Sequence, residues 1–250
     1  MADERQSMHV RNDAMQTLWV GSSLSALEQL SLASFVKNGH DVHLYVYEEV
    51  RSVPAGVGLR DAGTILPEDQ IFTYGSQAGP GKGSVAAFAN LFRYKMLLEK
   101  GGWWFDSDMI CLKPFDFAEP YVFARQDDVV VNNAVLRVPA ESRLMERLYD
   151  RATKLGRDLS WGETGPQLLT EQISQEGLED FVLPSDTFYP VGYWSAPDLF
   201  RADPGGQQME RLEGSYGVHL WNEILRRAKI DKEATFASSS VVESLKRRYC

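Results

Sequence analysis

The chain has 250 residues, with 26 Lys+Arg against 35 Asp+Glu, a formal net charge of −9 and an ordinary globular balance of 44% hydrophobic and 24% charged residues. A chain this long buries about 70–75% of the surface its unfolded form exposes and needs no staple. The acidic excess argues against a nucleic-acid protein, whose affinity comes mostly from Lys/Arg contacts to phosphate, and two cysteines, Cys111 and Cys250, exclude a disulfide scaffold or a Cys-rich zinc site and suit a reducing compartment.

No segment approaches the ~20 apolar residues of a membrane span. The start, Met1-Ala2-Asp3-Glu4-Arg5-Gln6, is polar and leads into no signal-type apolar core. The expectation is a soluble, cytoplasmic protein with a disordered segment over 1–15 and a single domain over 16–250.

Thr17-Leu18-Trp19-Val20 reads as a strand closed by Gly21-Ser22-Ser23. Leu24, Leu27, Leu30, Ala33 and Phe35 then recur at helical spacing until Asn38-Gly39. Val42 to Tyr47 reads as the next strand, which makes the strand–helix–strand unit of a parallel sheet. Residues 51–83 are rich in glycine and proline and read as mostly loop. A helix follows, which Ser84 can cap, with Phe88, Leu91, Phe92, Leu97 and Leu98 as apolar positions and Gly101-Gly102 as its stop. Trp103-Trp104-Phe105 is an aromatic strand with Asp106-Ser107-Asp108 at its end. Ile110 to Leu112, Tyr121 to Ala124 and Val129 to Val138 are further strands. Leu144 to Leu155, Gln167 to Ser174, Trp221 to Lys229 and Val241 to Tyr249 read as helices. The class is α/β with one main sheet.

Two carboxylates two apart on an extended segment point the same way. At a strand's C-terminal end they meet the crevice where open α/β sheets bind ligands. A hard cation such as Mg²⁺ or Mn²⁺ suits those oxygens and keeps positions open for substrate phosphates. Seventeen aspartates make the spacing alone weak, and the alternative is a pair of solvated turn aspartates. What favours a site is that a buried-looking aromatic strand ends in two charges. On the preceding helix Asn90 and Arg93 are three apart and share a face, with small Ala86 one turn earlier. Arg93 offers a planar set of donors suited to phosphate or carboxylate, or it is a surface residue of an amphipathic helix.

Phe88-Ala89-Asn90-Leu91-Phe92-Arg93-Tyr94-Lys95, then Leu98, Gly101-Gly102-Trp103-Trp104-Phe105-Asp106-Ser107-Asp108 and Leu112-Lys113-Pro114, form one block. That block resembles the signature of the glycosyltransferases with a "sugar-binding region containing DXD motif". This group includes the bacterial family 32 enzymes, capsular polysaccharide synthesis proteins and α-1,4-galactosyltransferases, with the clostridial glucosylating toxins as more distant relatives. Leu18-Trp19-Val20-Gly21 resembles the group's first-strand motif. Trp161-Gly162-Glu163-Thr164-Gly165-Pro166 with Leu169-Thr170 resembles its Thr-Gly-Pro element, and Val218-His219-Leu220-Trp221-Asn222 its C-terminal element. The resemblance runs from about residue 17 to the C-terminus.

It implies a GT-A fold, a Rossmann-like mixed and mainly parallel sheet flanked by helices. It also implies a nucleotide-sugar donor, UDP by preference, a divalent metal (Mn²⁺ or Mg²⁺) and hexose transfer with retention to a glycan or lipid-linked saccharide, as in surface polysaccharide synthesis. By position, Asp106 and Asp108 bind metal and diphosphate and Arg93 contacts the donor. Trp19 stacks on the base, with Gly21 beside it, or is a core aromatic. Ser107 belongs to the donor site, and Asn132-Asn133 lie on the strand that passes the sugar or form a turn, with Asn133 the donor-binding residue of the pair. His219 is a third metal ligand or a structural histidine. Asn222, with His219, lies in the region that closes over the diphosphate, and Trp221 covers the donor or packs the core. Asn90 stands where an Asp is commoner, and its amide still donates and accepts. Gly165-Pro166 shape the backbone on the acceptor side. Asp127, Asp128 and Glu163 are nucleophile candidates by position only, so the same-face route is favoured.

Other readings rank lower. A haloacid-dehalogenase-type phosphatase also places Asp-x-Asp after an apolar strand, but about 100 residues precede the motif here. A non-catalytic nucleotide-sugar-binding protein is the second alternative, favoured by Asn90. Gly79-Pro80-Gly81-Lys82-Gly83-Ser84 is not a Walker loop, because Gly83 separates Lys82 from Ser84. Lys246-Arg247-Arg248, with Arg226-Arg227 and Lys229, offers weak peripheral contact with anionic membrane or is a solvated face. Cys250 fits no prenylation box.

Overall fold

The computed structural model describes residues 13–250; the greater part of the 1–15 segment lies outside them. The elements are β1 (Met15–Trp19), α1 (Ala26–Lys37), β2 (Val42–Val46), β3 (Val57–Asp61), α2 (Ala86–Lys100), β4 (Gly102–Phe105), β5 (Met109–Cys111), β6 (Val122–Arg125) and β7 (Val131–Val138). They continue as α3 (Arg143–Leu155), α4 (Leu168–Glu176), β8 (Val182–Leu183), α5 (Gln207–Glu210), β9 (Gly217–His219), α6 (Asn222–Arg227) and α7 (Val241–Tyr249). Seven strands form one sheet in the order β3-β2-β1-β4-β7-β6-β8. β1 pairs in parallel with both β2 and β4, and β7 runs antiparallel to its neighbours β4 and β6. This is the mixed, mainly parallel sheet flanked by helices that the resemblance implies.

Period-two alternation sorts the aromatic strand β4 between two layers. Trp103 and Phe105 pack with Phe35 of α1, whereas Trp104 joins Phe88 and Phe92 of α2 and Leu148 of α3. α1 and α7 share a third apolar cluster with Ile110 of β5 and Leu220. β5 and β9 pair antiparallel as a separate two-stranded sheet, with Met109 opposite His219.

α2 stops at Gly101, whose φ is +62 and whose missing Cβ would lie 2.3 Å from the backbone N of Ala140. Only glycine fits that turn, and it drops the chain straight into β4. α1 opens with a capping box in which Glu28 reaches back to Ser25.

Several boundaries differ from the sequence reading. β1 begins at Met15, which is fully buried, and Gln16 donates to the carbonyls of Gly101 at 2.8 Å and Trp103 at 3.3 Å. β3 lies inside the stretch read as loop; it is a half-exposed edge strand containing Gly58, Arg60 and Asp61, so no apolar alternation marks it. Asn132 and Asn133 are strand residues inside β7, as the strand read over Val129 to Val138 places them. α6 starts at Asn222 rather than Trp221, because Trp221 holds a left-handed conformation with φ +58. Among the described residues no helix is long and apolar enough to cross a membrane.

Candidate active site

The alternation that buries Trp104 against α2 carries Asp106 toward the same helix. There the guanidinium of Arg93 bonds Asp106 Oδ1, and the indole Nε1 of Trp104 donates to the same oxygen at 2.7 Å. Arg93 is 2% exposed and its charge sits 4.7 Å over the Trp104 ring. The two aspartates do not converge by extended alternation, as the spacing suggested. The chain turns after Asp106, with the Met109 N–H donating to the Asp106 carbonyl at 2.9 Å, and Asp108 points toward β9.

Asp108 lies 3.1 Å from His219 Nε2, and the Asn222 backbone N–H donates to its other oxygen at 2.7 Å. Burial penalises its charge. The charge and hydrogen bond of His219, the Asn222 amide and the Lys232 ammonium outweigh that and hold the carboxyl below its ordinary value. Asp106, Asp108 and His219 each offer a ligand atom, and these atoms lie within 4.8 Å of one another. Two carboxylate oxygens and an imidazole nitrogen fit a divalent cation such as Mn²⁺. Sequence reasoning named these three, and β5–β9 pairing brings His219 to them.

Asn90, Arg93 and Asn133 meet as one network. Arg93 Nη1 and Asn133 Nδ2 both donate to Asn90 Oδ1 at 2.8 Å, while Asn90 Nδ2 donates to Thr164 Oγ1 at 3.3 Å. Asn90 therefore joins α2, β7 and the 163–167 turn. Gly165 closes that wall: a Cβ there would lie 3.1 Å from Asn90 Nδ2. Tyr94, whose phenol burial pushes up to about 12, donates to the Thr164 carbonyl at 2.8 Å.

Trp221 stacks obliquely on His219 with ring centroids 4.1 Å apart, and its indole donates to the Val191 carbonyl at 2.9 Å. Trp19 is half-buried with the Lys232 ammonium 5.8 Å over its ring, and Gly21 (φ +134) turns the chain away from it. Ser107 occupies the turn between the aspartates. The carboxylates of Asp127 and Glu163 are engaged locally, by the N–H groups of Val129 and Val130 and of Ser160, and Asp128 is exposed. In the basic C-terminal region, Lys246 pairs with Glu243, and Arg226 and Arg227 with Glu223. A hollow of about 500 Å³ lined by Gln16, His43, Tyr45, Arg60 and Lys100 lies toward the start of β1 and β4 and includes none of the site residues.

Three participants escaped the sequence reading. Tyr189 is buried against His219 and Trp221; burial and then the nearby Asp106 charge push its phenol well up, and its oxygen accepts from the Val135 N–H at 3.2 Å. Lys232 sits in a loop with no periodic signal. Glu28 was legible as the fourth residue of a Ser-x-x-Glu capping box.

Residues 74–129 match the family described as "Glycosyltransferase sugar-binding region containing DXD motif", and residues 142–250 match "Alpha 1,4-glycosyltransferase conserved region". Among solved structures the chain is similar to one named PaToxG Glycosyltransferase, with a TM-score of 0.50 and 16% identity, covering 95% of this chain and 84% of that one. At that identity the likeness concerns the fold. No curated protein matches the sequence. The first matched region holds Asn90, Arg93, Asp106 and Asp108, and the second holds Thr164, Gly165, His219 and Asn222. The matched regions support the glycosyltransferase reading of Asp-x-Asp over the phosphatase one. The chain is a glycosyltransferase enzyme that carries the DXD sugar-binding region and the alpha-1,4-glycosyltransferase region.

Proposed function

We propose that the enzyme moves a hexose from a UDP-sugar to a glycan or lipid-linked saccharide, with retention of configuration and with Mn²⁺ or Mg²⁺ held by Asp106, Asp108 and His219. The observation that carries this reading concerns unpaired buried atoms. Among the described residues, five buried side-chain polar atoms lack a hydrogen-bond partner, and four of them are Trp19 Nε1, Arg93 Nε, His219 Nδ1 and Asn222 Oδ1. Folded proteins pair almost all such atoms, and three of these sit on residues that contact Asp106 or Asp108, which supports a polar ligand there.

A divalent ion held by Asp106, Asp108 and His219 would supply Lewis-acid stabilisation of the leaving diphosphate. The protein's own share is electrostatic. Arg93, fixed by Asn90 and Asp106, presents a desolvated guanidinium where negative charge accumulates. Asn90 holds Arg93 and Asn133 in place, Asn133 offers its amide oxygen to sugar hydroxyls, and Trp19 offers a ring to the base. Asp127 and Glu163 are held in their own turns, which supports the same-face route. In it the acceptor oxygen bonds the anomeric carbon on the face the diphosphate leaves, and a phosphate oxygen takes the acceptor's proton. A lipid-linked acceptor would be met at the cytoplasmic membrane face.

The test is a panel of nucleotide sugars with Mn²⁺ or EDTA, reading thermal shift and donor hydrolysis, with the product anomer assigned by NMR. UDP-sugars are expected to stabilise and to be hydrolysed only with metal. The Asp108→Ala protein is expected to lose both, and its retained activity would sink the site. Binding without hydrolysis or transfer would favour the non-catalytic reading.

A further inference from the structure

Glu28 has a side chain with no exposed surface, although it carries a carboxylate. A capping box requires only that the fourth residue accept from the N-cap N–H, and this is ordinarily done at the surface by Glu or Gln alike. Glu28 does that, accepting from Ser25 N at 3.1 Å and from its hydroxyl. It also accepts from Asn222 Nδ2 at 3.0 Å and pairs with Lys232 Nζ. Both partners belong to the C-terminal part of the chain.

Burying a carboxylate is costly, and a hydrophobic replacement is often no less stable. The cap alone does not account for it. Asn222 is the residue whose backbone N–H holds Asp108 at 2.7 Å. It follows Trp221, whose φ of +58 is an uncommon conformation for a bulky side chain. Two side-chain bonds brace that strained corner, Trp221 to the Val191 carbonyl and Asn222 to Glu28. The helix N-terminus favours the negative charge of Glu28, so the anchor is rigid and its polarity is set by α1.

We propose that Glu28 is a positioning residue for the metal and donor site: from the N-terminus of α1 its buried carboxylate fixes Asn222, and through it Asp108, and draws Lys232 over Trp19. This rests on the metal-dependent reading above. Partners behind metal ligands commonly govern affinity by about 10–100-fold.

The experiment is Mn²⁺ binding to the full chain, read by electron paramagnetic resonance of free Mn²⁺, alongside the melting temperature. Glu28→Ala and Asn222→Ala are each expected to weaken Mn²⁺ binding about 10–100-fold. Ser25→Ala, which damages the same cap but not the Asn222 bond, is expected to lower Tm by about 2–4 °C and leave Mn²⁺ affinity unchanged. Glu28→Gln is expected to recover most of the affinity, because the Asn222 amide can turn its unpaired Oδ1 to the new NH₂. Wild-type Mn²⁺ affinity in Glu28→Ala and Asn222→Ala, with loss in Asp108→Ala, overturns the proposal and spares the metal reading. If Glu28→Ala does not fold, Asn222→Ala decides alone. Wild-type affinity in Asp108→Ala overturns the metal reading and this proposal with it.

Discussion

Replacing Arg93 with Met keeps most of the buried stem and removes the charge. Three interactions go with it: the ion pair with Asp106, the bond to Asn90 at 2.8 Å and the contact over the Trp104 ring. Breaking a buried ion pair costs about 3–5 kcal/mol. Asp106 keeps 28% of its side-chain surface, so water recovers part of that, and about 2–3 kcal/mol is the better figure. The orphaned acceptor of Asn90 is still satisfied by Asn133 at 2.8 Å, so little is added there. At about 2–4 °C per kcal/mol for a chain of this size, Tm falls by roughly 4–12 °C. Arg93→Lys keeps a charge but reaches only one of the two acceptors, and its loss is expected to be smaller than that of Met. Donor hydrolysis behaves differently. Both variants are expected to lose about 100-fold or more, because each lacks the guanidinium that the proposed reading places beside the leaving diphosphate, with Nε as its unpaired donor. Thermal unfolding followed by fluorescence and donor hydrolysis with Mn²⁺ are the assays. A Tm within 1 °C of wild type in Arg93→Met, or hydrolysis by Arg93→Lys at the wild-type rate, would refute this account of Arg93.

Gly165→Ala places a Cβ 3.1 Å from Asn90 Nδ2 and 3.5 Å from Asn133 Nδ2. The amide pair must shift, so transfer is expected to fall about 10–100-fold while the Tm moves by only a few degrees; a large loss of Tm with full activity per folded molecule would contradict it. Cys111 is buried, donates to the Lys113 carbonyl at 3.2 Å, and burial pushes its thiol far above the ordinary range, whereas Cys250 is exposed. One equivalent of maleimide is expected to react with the native protein and a second only in denaturant; two fast equivalents would show that β5 opens.

The helix–strand–DXD block was legible because local chemistry marks it. The Gly101-Gly102 stop, the alternating aromatics of β4 and the Asp-x-Asp end are neighbours in sequence, and period two alone puts Asp106 on the face of Trp104. Asn90 and Arg93 share a helix face by three-residue spacing. The edge strand β3 was not legible, because none of its five residues is buried on either face and so no alternation is printed on them. The Asp108 turn was misread as extended for a related reason. Its bend is set by pairing β5 with β9, a partner more than 100 residues away.

By itself the sequence determined the fold class, the helix–strand–DXD block and, through its motifs, eleven residues to test. Only the tertiary structure decided that His219 stands beside Asp108, that Asn90 is a shared acceptor rather than a free amide, and that a capping-box glutamate reaches the C-terminal corner of the site. Sequence spacing reports on neighbours within one helix or strand. These contacts join α1, α2, β7, β9 and α6, and the physical reason they form is the packing of layers whose apolar faces meet far along the chain.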